Sequence, residues 1–131
     1  MATKFQLQNP PFGSLTRFTQ FTTDNASVTP SFAALINGIF VTTPGANTTV
    51  TLKKAKDVLA ELAKTDQNTI GSTFTFTIVN EAADTHKTTL TVDGTDTANT
   101  KVIGNADVAA ATSATFAARV KSATAIDYIR V

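Results

Sequence analysis

The chain has a single histidine, His86, which stands near Glu81, Asp84 and Lys87. A serine hydrolase needs an imidazole base beside an activated hydroxyl, which is commonly presented in a G-x-S-x-G turn. No G-x-S-x-G motif occurs in the sequence. Because a loop histidine near carboxylates is usually a solvated residue, we predict that the protein has no catalytic residues and is not an enzyme.

Three aspartates near glycines are the candidates for a metal site. Asp93, Asp96 and Asp107 lie close to Gly94 and Gly104, and carboxylate oxygens are the ligands that Ca²⁺ prefers. Their spacing does not match an EF-hand loop, which requires alternating acidic positions and a distant Glu. Turn chemistry explains the Asp-Gly pair, because both residue types tolerate left-handed backbone. We therefore predict neither a metal ion nor a cofactor.

The charge balance does not indicate a nucleic-acid partner. The sequence has 11 Lys and Arg against 10 Asp and Glu, a net charge of +1, whereas a phosphate-binding surface needs a basic excess. Lys53 and Asp57 have the four-residue spacing of a helical ion pair, so the lysines around them suit a solvated helix face. Arg17, Arg119 and Arg130 fit either interface contacts or the protection of sheet edges.

Residues 1–35 combine Pro and Gly breakers with five of the nine Phe residues of the chain. Disordered tails are poor in aromatics, since an unburied Phe forgoes about 1.5–3 kcal/mol of stabilisation. These rings either pack on the domain that follows or dock on a neighbouring subunit or capsid, and we expect the second. The expected partner-binding residues are Phe5, Leu7, Phe12, Leu15, Arg17, Phe18, Phe21 and Phe32.

The same segment contains one helix-like spacing. Leu15, Phe18 and Phe21 recur every three residues and follow Ser14, a suitable N-cap. This spacing predicts one or two turns of helix within an otherwise extended N-terminal arm.

From residue 36 onward, apolar residues recur mostly at strand spacing. The sharpest case is residues 72–79, in which Phe74, Phe76 and Ile78 alternate with threonines. One stretch, about residues 53–64, has the three- and four-residue apolar spacing of an amphipathic helix. The other predicted strands are residues 36–43, 48–52, 87–92, 101–103, 107–111, 113–120 and 125–131.

Turn signals separate these strands about every ten residues, which is typical of an antiparallel sandwich or barrel. We therefore predict a mainly β fold, an antiparallel β-sandwich or jelly-roll-like barrel with one short inserted helix. Residues 1–35 form the extended arm and residues 36–131 the β domain. Threonine and alanine supply 26 and 20 of the 131 residues, and a surface of hydroxyls and methyls suits permanent packing against other subunits. No apolar run has the length of a signal peptide or a membrane span.

The regular part of the chain resembles a module of virion proteins from tailed phages and some other large DNA viruses. The resemblance covers about residues 36–131 and rests on a pattern of strands and turns. The runs that carry it are IGSTFTFTIVN at 70–80, KTTLTVDG at 87–94, VIGN at 102–105, TSATFAARV at 112–120 and AIDYIRV at 125–131. The resemblance implies a small β domain that decorates or cements a capsid, often as a trimer, or that forms part of a head fibre.

These observations together predict a virion structural protein, a capsid decoration or cement protein. Its expected partners are the major capsid protein and copies of itself in a homotrimer, with no nucleic acid and no membrane. Its expected location is the outer capsid surface, after synthesis in the host cytoplasm. The alternative is a carbohydrate or host-surface binding module of a phage fibre. Sugar-binding sites usually present exposed Trp or Tyr for stacking, and the chain has no Trp and a single Tyr, Tyr128.

Overall fold

The computed structural model describes residues 20–23, 26–36 and 38–131. Within these ranges the chain forms nine strands and two helices, so the prediction of a mainly β fold is confirmed. The strands are β1 (Gln20–Thr23), β2 (Ile39–Thr42), β3 (Thr48–Leu52), β4 (Thr73–Asn80), β5 (Thr88–Val92), β6 (Thr100–Ile103), β7 (Asp107–Val108), β8 (Thr112–Val120) and β9 (Ile126–Arg130). The helices are α1 (Phe32–Leu35) and α2 (Ala55–Ala63), and α2 lies inside the stretch predicted to be helical.

The strands form two sheets. A six-stranded sheet has the order β1-β2-β4-β8-β9-β6, and a three-stranded sheet has the order β3-β5-β7. Four neighbouring pairs are parallel, namely β1 with β2, β2 with β4, β3 with β5 and β6 with β9. The sheets are therefore mixed, whereas we predicted antiparallel pairing. The arrangement is consistent with a β-sandwich, and the described strands do not close into a barrel.

The parallel pairing of β2 with β4 follows from the segment inserted between them in the chain. After β2 the chain builds β3 and α2 before it returns as β4 beside β2. A return that passes through a helix allows two neighbours to run in the same direction, whereas a short hairpin would force them antiparallel. Periodicity in the sequence predicts strands but does not report their direction.

The core lies between the two sheets and beneath α2. On β4 the alternation is as predicted, with Phe74, Phe76 and Ile78 buried. The Phe76 ring stacks on Phe116 of β8 with centroids 5.6 Å apart and meets Tyr128 of β9 edge-on at 6.1 Å. Burial of each such ring contributes about 1.5–3 kcal/mol. We call the side of the six-stranded sheet that carries these rings the inner face.

Helix α2 packs its apolar stripe on the core. Val58, Leu59 and Leu62 are buried and belong to the same cluster as the sheet residues. The N-cap residue is Lys54, whose side chain makes no capping hydrogen bond. The cap comes from a distant turn instead: the Ala55 N–H donates to Asp96 Oδ2 over 2.8 Å.

The abundant threonines have a structural use between strands. Thr42 and Thr88, one from each sheet, lie buried with their hydroxyl oxygens 2.9 Å apart. Within the six-stranded sheet, Thr77 and Thr115 also place their hydroxyls 2.9 Å apart. Paired hydroxyls satisfy each other's hydrogen bonds, so Thr can occupy both wet and buried strand positions.

The structure differs from the predicted arm over residues 20–23 and 26–35. Residues 20–23 form β1 in register with β2, Val28 bridges to Val50 of β3, and Phe32 of α1 meets the Phe74 ring edge-on at 5.8 Å. These residues belong to the folded body, and Phe21 lies in a strand rather than in the predicted helix. The remainder of the predicted arm and helix, residues 1–19, lies outside the described residues.

The cap on α2 leads to a first prediction. Asp96 also accepts the Thr100 hydroxyl at 2.6 Å, and this bond, followed by the Ala55 N–H, holds the pKa of Asp96 below its ordinary value of 3.8. Asp96→Ala should lower the free energy of unfolding by about 1 kcal/mol, as the loss of a helix cap does. Urea titration at neutral pH measures this difference.

The pH dependence of the stability difference between wild type and Asp96→Ala provides the control. A lowered pKa in the folded state contributes stability above pH 3.8, which is lost as the pH falls through the folded pKa. The difference between wild type and Asp96→Ala should therefore shrink in acid. Asp96→Asn, which keeps an acceptor oxygen without the charge, should lose less stability at neutral pH. A difference that stays constant across this pH range would contradict the cap.

Tyr128 leads to a second prediction. Its hydroxyl is fully buried without a hydrogen-bond partner among the described residues, and burial raises the pKa of the phenol. An unsatisfied buried polar group costs about 1–3 kcal/mol. Tyr128→Phe should therefore raise the free energy of unfolding by about 1 kcal/mol in a urea titration. A loss of stability of that size would instead mean that the hydroxyl has a partner in solution.

Candidate functional site

The histidine loop places His86 beside a carboxylate, and the neighbouring Lys87 forms an ion pair with Asp107. His86 Nε2 lies 3.2 Å from Asp84 Oδ2, and Lys87 pairs with Asp107 at 2.7 Å. No hydroxyl among the described residues makes a hydrogen bond with the His86 ring. Nearby, buried Asn80 donates to the carbonyls of His86 and Val108 and so fixes this loop to β7.

The three candidate metal ligands serve three separate local structures. Asp93 accepts the N–H and the hydroxyl of Thr95, and the hydroxyl is the main reason for its lowered pKa. Asp96 caps α2, as described above. Asp107 accepts from Lys87 and Thr89, which lower its pKa in that order. The described residues contain no group of three or more His, Cys, Asp or Glu side chains that could hold a metal ion.

The basic residues of α2 and its flanks are solvated. Of these lysines, Lys54 is half-buried and the others are exposed, and Lys64 pairs with Glu61 at 2.7 Å on the helix surface. This agrees with the interpretation of a solvated helix face. The four lysines are Lys53, Lys54, Lys56 and Lys64.

Two of the three candidate arginines support the body itself. Arg119 donates to Asp127 over 2.7 Å, and the Asp127 carboxylate is buried. Arg130 lies 5.7 Å from the Phe116 ring centroid and donates to the carbonyls of Asn105 and Asp107. Both contacts are intramolecular. The third candidate, Arg17, lies outside the described residues.

Two of the predicted partner-binding residues, Phe21 and Phe32, lie in the described part of the chain. Phe32 is half-buried against Phe74, so its ring contacts the body of its own chain. Phe21 lies in β1, the edge strand of the six-stranded sheet. The other predicted contacts, Phe5, Leu7, Phe12, Leu15, Arg17 and Phe18, lie outside the described residues.

The second face of the six-stranded sheet is the broadest candidate surface, and we call it the outer face. Helix α2 and the three-stranded sheet both contribute to the core cluster on the inner face, so no described layer covers the outer one. Its central side chains are half-buried, whereas Thr73, Thr75 and Ser113 are exposed and Ile103 and Val131 are 44% and 77% exposed. Its strand register places these side chains together: Ile39, Val41, Thr77, Val79, Thr115, Ala117, Ile103 and Ile129.

Charge on the outer face is confined to one row. Across β8, β9 and β6 the register aligns Arg119, Asp127 and Lys101, and two of these three form the ion pair described above. The next row contains Ala117, Ile129 and Ile103 without a charge. A partner that covers this face would remove little charge from water, so it should present an apolar and hydroxyl-rich surface of its own.

A groove opens at the end of the sheet where β4 begins. Its volume is about 330 Å³, near the lower end of the range for binding pockets. On the β2 side, the register begins at Thr77, so no described strand flanks β4 between Thr73 and Phe76. The described lining residues are uncharged: Ile36, Leu62, Gln67, Ser72, Thr73 and Phe74.

Neither the outer face nor the groove could be predicted in full from local sequence patterns. The groove takes residues from three separate parts of the chain, so no local motif marks it. The outer face was visible in part, because Ile129 and Val131 alternate against Tyr128 and Arg130. Which side of a strand remains uncovered depends on the tertiary fold, which periodicity does not report.

A comparison of the chain with known protein families, curated proteins and solved structures finds no match. Among the described residues, neither helix has the length and apolar character needed to cross a membrane.

The Arg119–Asp127 pair leads to a third prediction. Arg119→Met would leave the buried Asp127 carboxylate without its donor, so the free energy of unfolding should fall by about 2 kcal/mol. The control is Lys101→Met, since Lys101 donates to the Thr97 carbonyl and not to Asp127. It should change stability by less than about 0.5 kcal/mol. Equal losses in the two variants would show that Arg119 is not the partner that matters.

Proposed function

We propose that the protein is a non-enzymatic virion structural protein that decorates and cements a capsid. It sits on the outer surface of the shell as a homotrimer, and its main partner is the major capsid protein. The observation that carries the proposal is the outer face, a broad surface of Ile, Val, Ala and Thr with one charged row, which no layer of the described residues covers. An extended apolar surface of this kind on a small domain is typical of a contact site.

In the sequence, the predicted arm leads directly into an edge strand of the six-stranded sheet. β1 is the edge strand of the six-stranded sheet, and residues 1–19 precede it directly. A partner that lies against the outer face is therefore also within reach of the arm. The arm contributes Phe5, Leu7, Phe12, Leu15 and Phe18, with Arg17 among them.

The mechanism of cementing is the burial of apolar area at the junctions between capsomers. Burial of apolar surface contributes about 25 cal/mol per Å² to the free energy of binding. A few hundred Å² per copy therefore contributes several kcal/mol, before the entropic cost of ordering the arm is subtracted. A tethered arm adds this contact at high effective concentration once the body is seated. Repeated around a shell, the contacts would oppose internal pressure.

As part of the same role, we expect the body to associate with copies of itself. The two ends of the six-stranded sheet are different strands, β1 and β6. Contact between two unlike surfaces builds a ring when the rotation closes, whereas contact of a surface with itself gives a two-fold dimer. Contact between these two edges is compatible with a closed ring, of which the proposed homotrimer is one case.

The alternative of a carbohydrate-binding module receives less support. Sugar faces stack on exposed aromatic rings, and Tyr128, the one Tyr or Trp of the chain, has no exposed surface. No pocket described above supplies a replacement ring, because Phe74 in the groove is buried as well. Binding on a glycan array would restore this alternative.

The fourth prediction concerns the arm. A chain that begins at Gln20 keeps β1, Phe32 and Leu35, so its body should fold. Removal of residues 1–34 is not suitable for this test, because it would also remove β1 and most of α1. The shortened chain should co-sediment far less with shells assembled from the capsid protein of the same virus. It should also stabilise those shells less against heating.

Solution mass provides the control. Light scattering should give the mass of a trimer for both the full chain and the shortened chain, since the body carries the self-association. Unchanged shell binding after removal of residues 1–19 would contradict the proposed role of the arm. A trimer that dissociates without them would show that the arm holds copies together rather than clamping the shell.

A further inference from the structure

We propose that Asp93 is a site of spontaneous covalent modification, at which the peptide bond to Gly94 rearranges to an isoaspartyl bond and thereby uncaps α2. The site lies in the turn between β5 and β6, and Asp93-Gly94 is the one Asp-Gly pair of the sequence. The product carries a carboxylate that isoaspartyl methyltransferases would accept as a substrate. The inference does not depend on the proposed function.

The rearrangement is an internal condensation followed by hydrolysis. The Gly94 nitrogen attacks Asp93 Cγ and forms a new C–N bond. One carboxyl oxygen leaves as water, with one proton from the attacking N–H and one from solvent. Water then opens the five-membered succinimide ring. When the former main-chain carbonyl is the one hydrolysed, the chain continues through Cβ and Cγ, and the old main-chain carboxyl becomes a side group.

The surroundings of Gly94 leave room for this attack. Gly94 is exposed, and a Cβ built on it would meet no atom within 4 Å. Because glycine has no side chain of its own, nothing next to the nitrogen hinders the approach of the carboxyl group. At the other aspartates of the chain the next residue is Asn, Val, Gln, Thr or Tyr, each of which has a side chain beside the attacking nitrogen.

The Asp93 carboxyl is already folded back over the Gly94 peptide. Its Oδ1 accepts the Thr95 N–H over 2.8 Å and the Thr95 hydroxyl over 2.6 Å. A side-chain oxygen that bonds the N–H two residues on lies across the peptide between them, which favours an attack within the turn. Both donors also point at the oxygen on which negative charge develops during the attack.

The two carboxyl oxygens therefore have different surroundings. Oδ2 makes no hydrogen bond with a described residue, so it is the oxygen that can take up protons and leave as water. The Thr95 hydroxyl and N–H also hold the pKa of Asp93 below its ordinary value, so the protonated carboxyl is scarce at neutral pH. We therefore expect a slow reaction.

The turn that would rearrange also positions the cap of α2. The Asp93 carbonyl accepts the Asp96 N–H over 2.9 Å, and the Asp96 carboxylate accepts the Ala55 N–H over 2.8 Å. Rearrangement takes the Asp93 carbonyl out of the main chain and lengthens the chain by one carbon. Asp96 would then lose the bond that fixes its backbone, and Ala55 would lose its acceptor.

The test begins with the full-length protein kept at neutral pH for several weeks. After tryptic digestion, electron-transfer fragmentation of the peptide 88–101 should show isoaspartate accumulating at residue 93. Methyl transfer to the protein by an isoaspartyl methyltransferase should rise in parallel. The pair Asn37-Gly38 is open to the same chemistry but lies in a different tryptic peptide, so its reaction is counted separately.

Gly94→Ala is the matched control. Its backbone is outside the left-handed region and its surroundings are open, so the variant should fold. The added methyl group hinders attack by the nitrogen, and isoaspartate at residue 93 should form severalfold more slowly. Gly94→Ala kept for the same time also reports changes elsewhere in the chain.

A urea titration tests the link to α2. The isoaspartyl protein, separated by ion-exchange chromatography, should unfold at a lower urea concentration than the unmodified protein, by about as much as Asp96→Ala. In the Asp96→Ala background the modification should lower the midpoint little further, because the cap is already absent.

An absence of isoaspartate at residue 93, or equal accumulation in wild type and Gly94→Ala, would overturn the modification site. An unchanged midpoint, or an equal loss in the Asp96→Ala background, would overturn the uncapping of α2. No shell is present in these experiments, so their failure leaves the proposed function standing.

Discussion

The fold depends on burying the aromatic rings that project from one face of the six-stranded sheet. Phe76 stacks on Phe116 and meets Tyr128 edge-on, so β4, β8 and β9 are fixed to one another by ring contacts as well as by backbone hydrogen bonds. Helix α2 and the three-stranded sheet complete this core from the same side. Because side chains alternate along a strand, the burial of one face determines which residues remain on the other.

The outer face follows from that constraint. Its positions carry Thr, Val, Ala and Ile, residues that fit a pleated surface whether it is wet or covered. The charges that it includes are aligned in a single row, where Arg119 is already paired with Asp127. A surface with these properties tolerates water in the isolated protein and loses little on being covered. This is the physical basis of the proposed role in permanent assembly.

The sequence was informative wherever structure is local. The alternation of Phe74, Phe76 and Ile78 located β4 and its buried side, and the spacing of Val58, Leu59 and Leu62 located α2. It was uninformative about pairs far apart in the chain: the capping of α2 by Asp96, the parallel return of β4 beside β2, and the addition of β1 to the sheet edge. Of the candidate site, the Phe-rich segment was recognisable by composition, whereas the outer face and the groove emerge only when strands distant in sequence become neighbours.

The most direct measurement places a charge at the centre of the outer face. Ala117 is half-buried there, level with Thr75 and Ile129, and Ala123 in the exposed turn after β8 provides a matched control. Co-sedimentation with assembled shells would be measured for Ala117→Glu and Ala123→Glu, with urea titrations to show that both bodies remain folded. The account predicts that Ala117→Glu loses shell binding and Ala123→Glu retains it. Full binding by a folded Ala117→Glu protein would contradict the claim that the outer face is the contact surface.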